Sequence, residues 1–365
     1  MSADQSKSLL ERVEIPAGLS PDSARKIAHL EEEFTRAEVE MLRKSVPLLR
    51  PLYEKRNQII NTPDVQSDFW IRVFSNAPAE IDEYVLPSDA AALGSLTNLT
   101  VERFEVNDKG QGEPRSLRFT FEFRTGEENP FFENAKLVKD FYWRKQVTKT
   151  AKGKRRTWEG LVSEPVRINW KKDMDLTKGL LDAACDLADA EKKQGKSKAR
   201  KDLPQFETLV KKVAEVEEQA LNADDEDEED DEDPLAGKSP AGVSVFAWFG
   251  YRGRDVSVEQ SKEAEKEDEE RRAKIAKGEE VDDDEDDEDD EDDELADELE
   301  DAEIFPDGED FAIALAEDLW PNALKYYVQS YELAEDFSDF DVEEEEEEED
   351  DEDDEESRPR KKTKV

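Results

Sequence analysis

The sequence predicts an α+β fold: a long N-terminal dimerisation helix, then a four-stranded antiparallel sheet with helices on one face, plus disordered acidic insertions and an acidic tail. Three observations predict it. Apolar residues recur at helical spacing over residues 21–61, four segments between 96 and 170 read as strands, and three uninterrupted runs of acids separate apolar blocks.

In the first block Ile27, Leu30, Phe34, Ala37, Met41, Leu48, Leu52 and Ile59 fall at spacings of three, four or seven, a seam that slips by one position after Leu48. Ser20 suits the N-cap with Pro21 at the first helical position, and Glu31, Glu32, Glu33, Glu38 and Glu40 lie off the seam. At ~1.5 Å per residue the helix would run about 60 Å, longer than a small domain is wide, so the seam is expected to close on a second copy of the chain. The competing reading packs the helix on its own domain. Pro47 and Pro51 each remove a backbone donor. A single kinked rod is expected, and an end near Ser45 with a restart at Leu48 is the alternative.

After Thr62 and Pro63, the segment around Phe69, Trp70, Val73 and Phe74 places four apolar residues on one helical face, suited to docking the rod on a core. Short helices broken at Pro87 and ended by Gly94 should follow. Strands are expected at 96–106, with Leu99, Val101 and Phe104 inward, at 116–124, where Leu117, Phe119, Phe121 and Phe123 alternate, and at 138–147 and 158–170. The last two bracket a basic hairpin tip holding Lys149, Lys152, Lys154, Arg155 and Arg156. Residues 175–222 are helical in pattern but mostly polar. The apolar piece 243–251 should dock back on the sheet, 259–277 should form an exposed helix, and 309–331 an amphipathic helix broken at Trp320-Pro321.

The net charge is -48, and the acidic runs at 224–233, 282–294 and 343–356 hold ten, thirteen and fourteen acids. The difference leaves about -11 for the rest, a moderately acidic globular remainder. Such runs suit a polycationic partner and disfavour strong direct binding to nucleic acid, whose phosphates they repel. One cysteine, Cys185, gives no internal disulfide framework and points to an intracellular compartment. No segment of ~18 apolar residues offers a membrane span. Two basic stretches, 192–201 and the terminal one with Arg358, Arg360, Lys361, Lys362 and Lys364, suit nuclear import, and a solvated patch is the alternative for the first. His29 is the single histidine, so zinc sites, Cys-His dyads and Ser-His-Asp triads are out of reach. No phosphate-binding glycine motif occurs. No enzyme, cofactor or metal is expected.

The blocks PLYEKRNQII (51–60), DFWIRVF (68–74), ENPFFENAKLVKDFYW (128–143), INWKKDMDLTK (168–178), SVFAWF (244–249) and EDLWPNALKYYV (317–328), in this order behind a long helix, resemble the nucleosome assembly protein family of histone chaperones, most closely its SET branch. The resemblance implies a homodimer with antiparallel long helices, each ending in an "earmuff" domain, and an acidic hollow that binds core histones without ATP. It places Glu127, Glu128, Glu133, Asp173, Asp175, Glu317 and Asp318 at that hollow, although Asp173 and Asp175 also suit capping of the next helix and Asp318 the solvation of its own. It implies a mainly nuclear protein, also cytoplasmic in part, with regulation of a histone acetyltransferase or protein phosphatase as the alternative role. The domains expected are a disordered start (1–20), the long helix (21–61), an earmuff domain (62–178, 243–250 and 309–331), charged insertions at 179–242 and 251–308, and a tail from 332 to 365. Pro47, the size of the insertions and the basic chain end depart from the family pattern.

Overall fold

A computed structural model describes residues 20–149, 155–195, 200–226, 243–277 and 302–332. The Lys/Arg-rich chain end, Lys152, Lys154, two acidic runs and most of the third lie outside them. Helix α1, Pro21–Ile60, is one piece, with the Ser20 hydroxyl accepting from the Ser23 amide at 3.1 Å. Both Pro47 and Pro51 sit inside it. By the i→i−4 rule only the carbonyls of Arg43 and Pro47 lose a donor, so the break at Ser45 does not occur. The seam does not lie on the chain's own domain. A different face does: Arg43 Nε donates to Gly112 O at 2.8 Å, Arg50 Nη2 to Val106 O at 3.2 Å, and Ile60 is fully buried. Gly112 has φ 122°, and a β-carbon there would fall 1.9 Å from Glu105 O, so the loop that presents the Gly112 carbonyl to Arg43 requires glycine at this position.

Short helices α2 (Pro63–Gln66), α3 (Phe69–Phe74), α4 (Ala79–Asp82) and α5 (Pro87–Leu93) follow, and Phe69, Trp70, Val73 and Phe74 are buried as their spacing predicts. The sheet runs in order β1 (Leu96–Glu102), β2 (Leu117–Phe123), β3 (Lys136–Lys149) and β4 (Arg155–Ser163), all antiparallel neighbours. Strand β1 stops before Phe104, whose ring lies beyond it, 5.3 Å from Tyr142, and not in the core. Strand β4 ends well before Trp170. Pro165 cannot donate to a ladder, and Trp170 forms an isolated bridge with Phe132 outside the four strands. Arg155 is no solvent-facing tip. It pairs with Lys149 across the ladder, is buried, and binds Glu267 at 3.1 Å and Asp268.

Two expected insertions contribute to the core. In α6 (Leu180–Gln194) the residues Leu180, Leu181, Ala184, Cys185 and Leu187 are buried, and α7 (Pro204–Glu226) adds Leu209 and Val216. Helix α8 (Val258–Ala276) was expected exposed, yet it lies on β3: Ser261 Oγ accepts from the Lys145 amide at 3.1 Å, Ala264 is buried, and Arg271 reaches Glu32 of α1 at 3.5 Å. The 3-10 turn Val245–Gly250 returns to the sheet, with Trp248 5.1 Å from Phe119. Helix α9 (Gly308–Ala314) runs into a π turn, Leu315–Leu319, that brings the Trp320 indole to donate to Leu99 O at 3.1 Å, and residues 323–332 form α10.

Buried polar groups stitch these remote segments together. Lys139, fully buried, donates to the carbonyls of Glu164, Phe249 and Tyr251 at 2.8, 3.1 and 2.7 Å, while burial pushes its ammonium down to about 7. Asp89 accepts from the Leu86 amide at 3.1 Å, the Val245 amide at 2.9 Å and the Ser244 hydroxyl. Asp89→Ala leaves three donors unpaired, two of them buried, at about 1 kcal/mol each or more. A fall of about 6–12 °C in Tm is expected, at 2–4 °C per kcal/mol for a domain of this size, readable by calorimetry.

Candidate functional site

The seam of α1 is the largest exposed apolar feature of the described residues. Its large members range from 45% exposed at Ile27 to 72% at Leu48, with Leu30, Phe34, Met41, Leu52 and Ile59 between, and Ala37 is exposed as well. At about 100° per residue these eight positions span only about 80° of arc, beside the face that carries the domain. Isolated surface leucines are ordinary, but a contiguous stripe of this length marks an interaction face.

The seven acids do not form one group. The 3-10 turn Gly126–Glu128 exposes Glu127 and Glu128 just past β2. The loop after it is zipped to residues 169–171: Glu133 N donates to Asn169 O at 3.0 Å, Lys171 N to Phe131 O at 2.7 Å, and Lys171 Nζ to Gly126 O at 2.7 Å. This brings exposed Glu133 and Asp173, the latter at φ 62°, to the same edge as Glu127 and Glu128. Lys172 Nζ stands 3.8 Å from Asp173 and partly offsets the charge. Glu317 lies elsewhere, bound to Arg103 Nη2 at 3.1 Å. Arg103 follows β1 at the end where Glu102 faces Arg118, whereas the first group follows the end where Leu96 faces Phe123. Six strand residues separate those ends, about 20 Å.

Two of the acids have structural duties. Asp175 accepts from the Thr177 amide at 2.8 Å and the Gly179 amide at 2.8 Å, so it caps the turn that opens α6. Asp318 accepts from Asn322 at 2.8 Å and from the Tyr326 hydroxyl at 2.9 Å. Arg103 and Lys139 were not singled out from the sequence. Arg103 finds its acid 214 residues away, and Lys139 shares the alternation of Leu137 and Phe141, so its inward phase was the one available signal.

Among the described residues no group of three or more His, Cys, Asp or Glu side chains is placed to hold a metal ion. Burial pushes the Cys185 thiol up to about 11, away from the reactive thiolate, and His29 faces Glu33 at 3.7 Å on the surface of α1. No described helix is long and apolar enough to cross a membrane.

The fold and these surfaces define an acidic α+β protein with an unpartnered apolar rod. The chain belongs to the nucleosome assembly protein (NAP) family, whose model matches residues 62–330. It is 37% identical over 145 residues to a putative nucleosome assembly protein of Schizosaccharomyces pombe, covering 40% of this chain and 56% of that one. To Protein SET of Drosophila melanogaster it is 31% identical over 134 residues, covering 37% of this chain and 43% of that one. The matched stretches therefore span about half the length of these relatives. The crystal structure of Ccp1 matches with a TM-score of 0.46 and 25% identity over 86% of this chain and 97% of that one. That of Vps75 matches with a TM-score of 0.44 and 18% identity over 85% and 98%.

Proposed function

We propose that the chain is a nuclear histone chaperone that works as a homodimer and carries out no catalytic step. One observation carries the reading: in this NAP-family chain two acidic runs fall between segments of the matched region, and a third follows it. Tethered polyanions raise the encounter rate with a polycation and shield its basic surface from DNA. DNA, with its higher charge density, then takes the histones from the chaperone, so no nucleotide is needed.

The seam supports the dimer, and the charges along α1 support its direction. Residues 21–40 carry six acids against three Arg and Lys, while residues 41–60 carry one acid against five. Antiparallel pairing sets unlike halves together, and parallel pairing would set like against like. The acids Glu127, Glu128, Glu133 and Asp173 supply a cargo edge on each domain. The basic chain end with Arg358, Arg360, Lys361, Lys362 and Lys364 supplies nuclear import in this reading.

Titration of core histones at ~0.3 M salt, where loose tail attraction is screened, tests the proposal. The full chain is expected to bind, and deletion of residues 343–356 to weaken binding several-fold without abolishing it. Failure of the full chain to bind at that salt removes the proposal, and total loss on deletion removes the cargo edge from it.

A further inference from the structure

Helix α8 differs from its neighbours in what holds it. Its buried stripe, Ser261, Ala264 and Asp268, falls at i, i+3 and i+7, and only one of the three is apolar. Ala264 lies outside the continuous hydrophobic core, and Val258 is 43% exposed. The grip is polar. Asp268 bridges Lys145 of β3 and Arg155 of β4, Glu267 meets Arg155 at 3.1 Å, and the Ser261 hydroxyl accepts from the Lys145 amide. Arg271 reaches Glu32 of α1. Burying such charges strips their hydration, which cancels most of the Coulomb attraction, and separation returns the water. An apolar contact gains nothing comparable when it opens. Lys145 also has a second acid, Glu159, 2.5 Å away across the ladder and not part of α8.

The surrounding chain lets α8 leave without disturbing the core. The chain departs from the core after buried Tyr251 and returns at buried Ile304, and these points adjoin. A Glu303 carboxylate oxygen accepts from the Arg252 amide at 3.0 Å and from the Gly253 amide at 3.3 Å. Helix α8 also carries its own supports. Ser257 and Gln260 form a capping box, and Lys266 faces Glu270 at 3.7 Å.

We propose that α8 is a charge latch: it opens as a unit from β3 and β4 when a polycation takes the carboxylates of α8 and of the acidic run that follows it. The trigger rests on the polycation reading above, whereas the latch rests on the contacts just described. Seven acids lie on α8, from Glu259 to Glu270, and the run at 282–294 begins six residues after the helix ends at Ala276. A polycation bound along this stretch competes with Lys145 and Arg155 for the same carboxylates, and the tether keeps it close to them. Opening adds the acids of α8 to those offered to the cargo, while the core stays folded.

Hydrogen exchange on the full-length chain, with and without a lysine homopolymer at ~0.15 M salt, tests this by mass spectrometry. With the polymer, peptides from residues 258–276 are expected to exchange at least tenfold faster, and peptides from β2 to keep their rate. Unchanged or slower exchange in α8 overturns the inference. Equal acceleration of α8 and β2 overturns it too, since the domain then loosens as a whole. Without polymer, Asp268→Asn is expected to speed exchange in α8 at least tenfold, because Lys145 and Arg155 lose the carboxylate they share. A wild-type rate in that variant also ends the proposal. The chaperone reading fails separately: a chain whose α8 opens with the polymer but which leaves core histones unbound at ~0.3 M salt keeps the latch and loses that reading.

Discussion

Replacing Phe34 and Met41 together by Asp will halve the sedimenting mass of the chain. Both side chains stand in solvent in the single chain, at 62% and 64% exposure, so the domain does not need them for its own core. In a symmetric dimer the two substitutions remove four large apolar groups from the interface. At about 1.5–3 kcal/mol for each fully buried side chain, the loss is about 6–12 kcal/mol before the cost of placing four carboxylates there is added. Dissociation constants rise tenfold for every 1.4 kcal/mol, so no dimer survives at micromolar concentrations. Sedimentation equilibrium reads the mass, and thermal unfolding of the domain serves as the control. An unchanged mass would end the pairing proposal.

The second large effect is on cargo. Reversing Glu127, Glu128, Glu133 and Asp173 to Lys is expected to weaken core-histone binding at least tenfold at ~0.15 M salt and to flatten its salt dependence. Each exposed pair is worth about 0.2–1 kcal/mol, and reversal both deletes the attraction and adds a repulsion of similar size. Reversing Glu317 instead should disturb the contact with Arg103 before it touches cargo. Asp175→Ala should lower stability with little effect on affinity, because its oxygens are already taken by backbone amides. Isothermal titration with a histone dimer separates these outcomes. Equal affinity for the quadruple variant would clear this edge of any role.

Much of the fold was legible because the clear signals are local. Leu117, Phe119, Phe121 and Phe123 alternate without interruption and are all buried, and the spacing of the α1 seam survives two prolines. What was illegible depended on distant neighbours. In α6, alanines and Cys185 among charged residues look polar in a window, yet small side chains are what allow that helix to press close to its neighbours. Helix α8 has few apolar residues and was read as solvated. It is held by Ser261 and by the pairs of Asp268 with Lys145 and Arg155, none of which leaves a periodic mark. The candidate acids show the same divide. Composition supplies negative charge, but whether a carboxylate waits for a ligand or caps a turn is settled by partners two residues away for Asp175 and more than two hundred away for Glu317.

The contact of Trp320 with Tyr53, Arg56 and Leu99 has a consequence for how the protein is made. This part of the core wall is supplied 221 residues after the strand residue it meets. At about 5–20 residues per second, the ribosome takes about 13–50 s to pass from residue 61 to residue 320, and during that time Tyr53 and Arg56 lack the Trp320 ring they pack against. Nascent chains in this interval hold a finished rod and an unfinished domain. Their window for misassembly is therefore set by elongation speed, and slow codons after residue 60 would lengthen it.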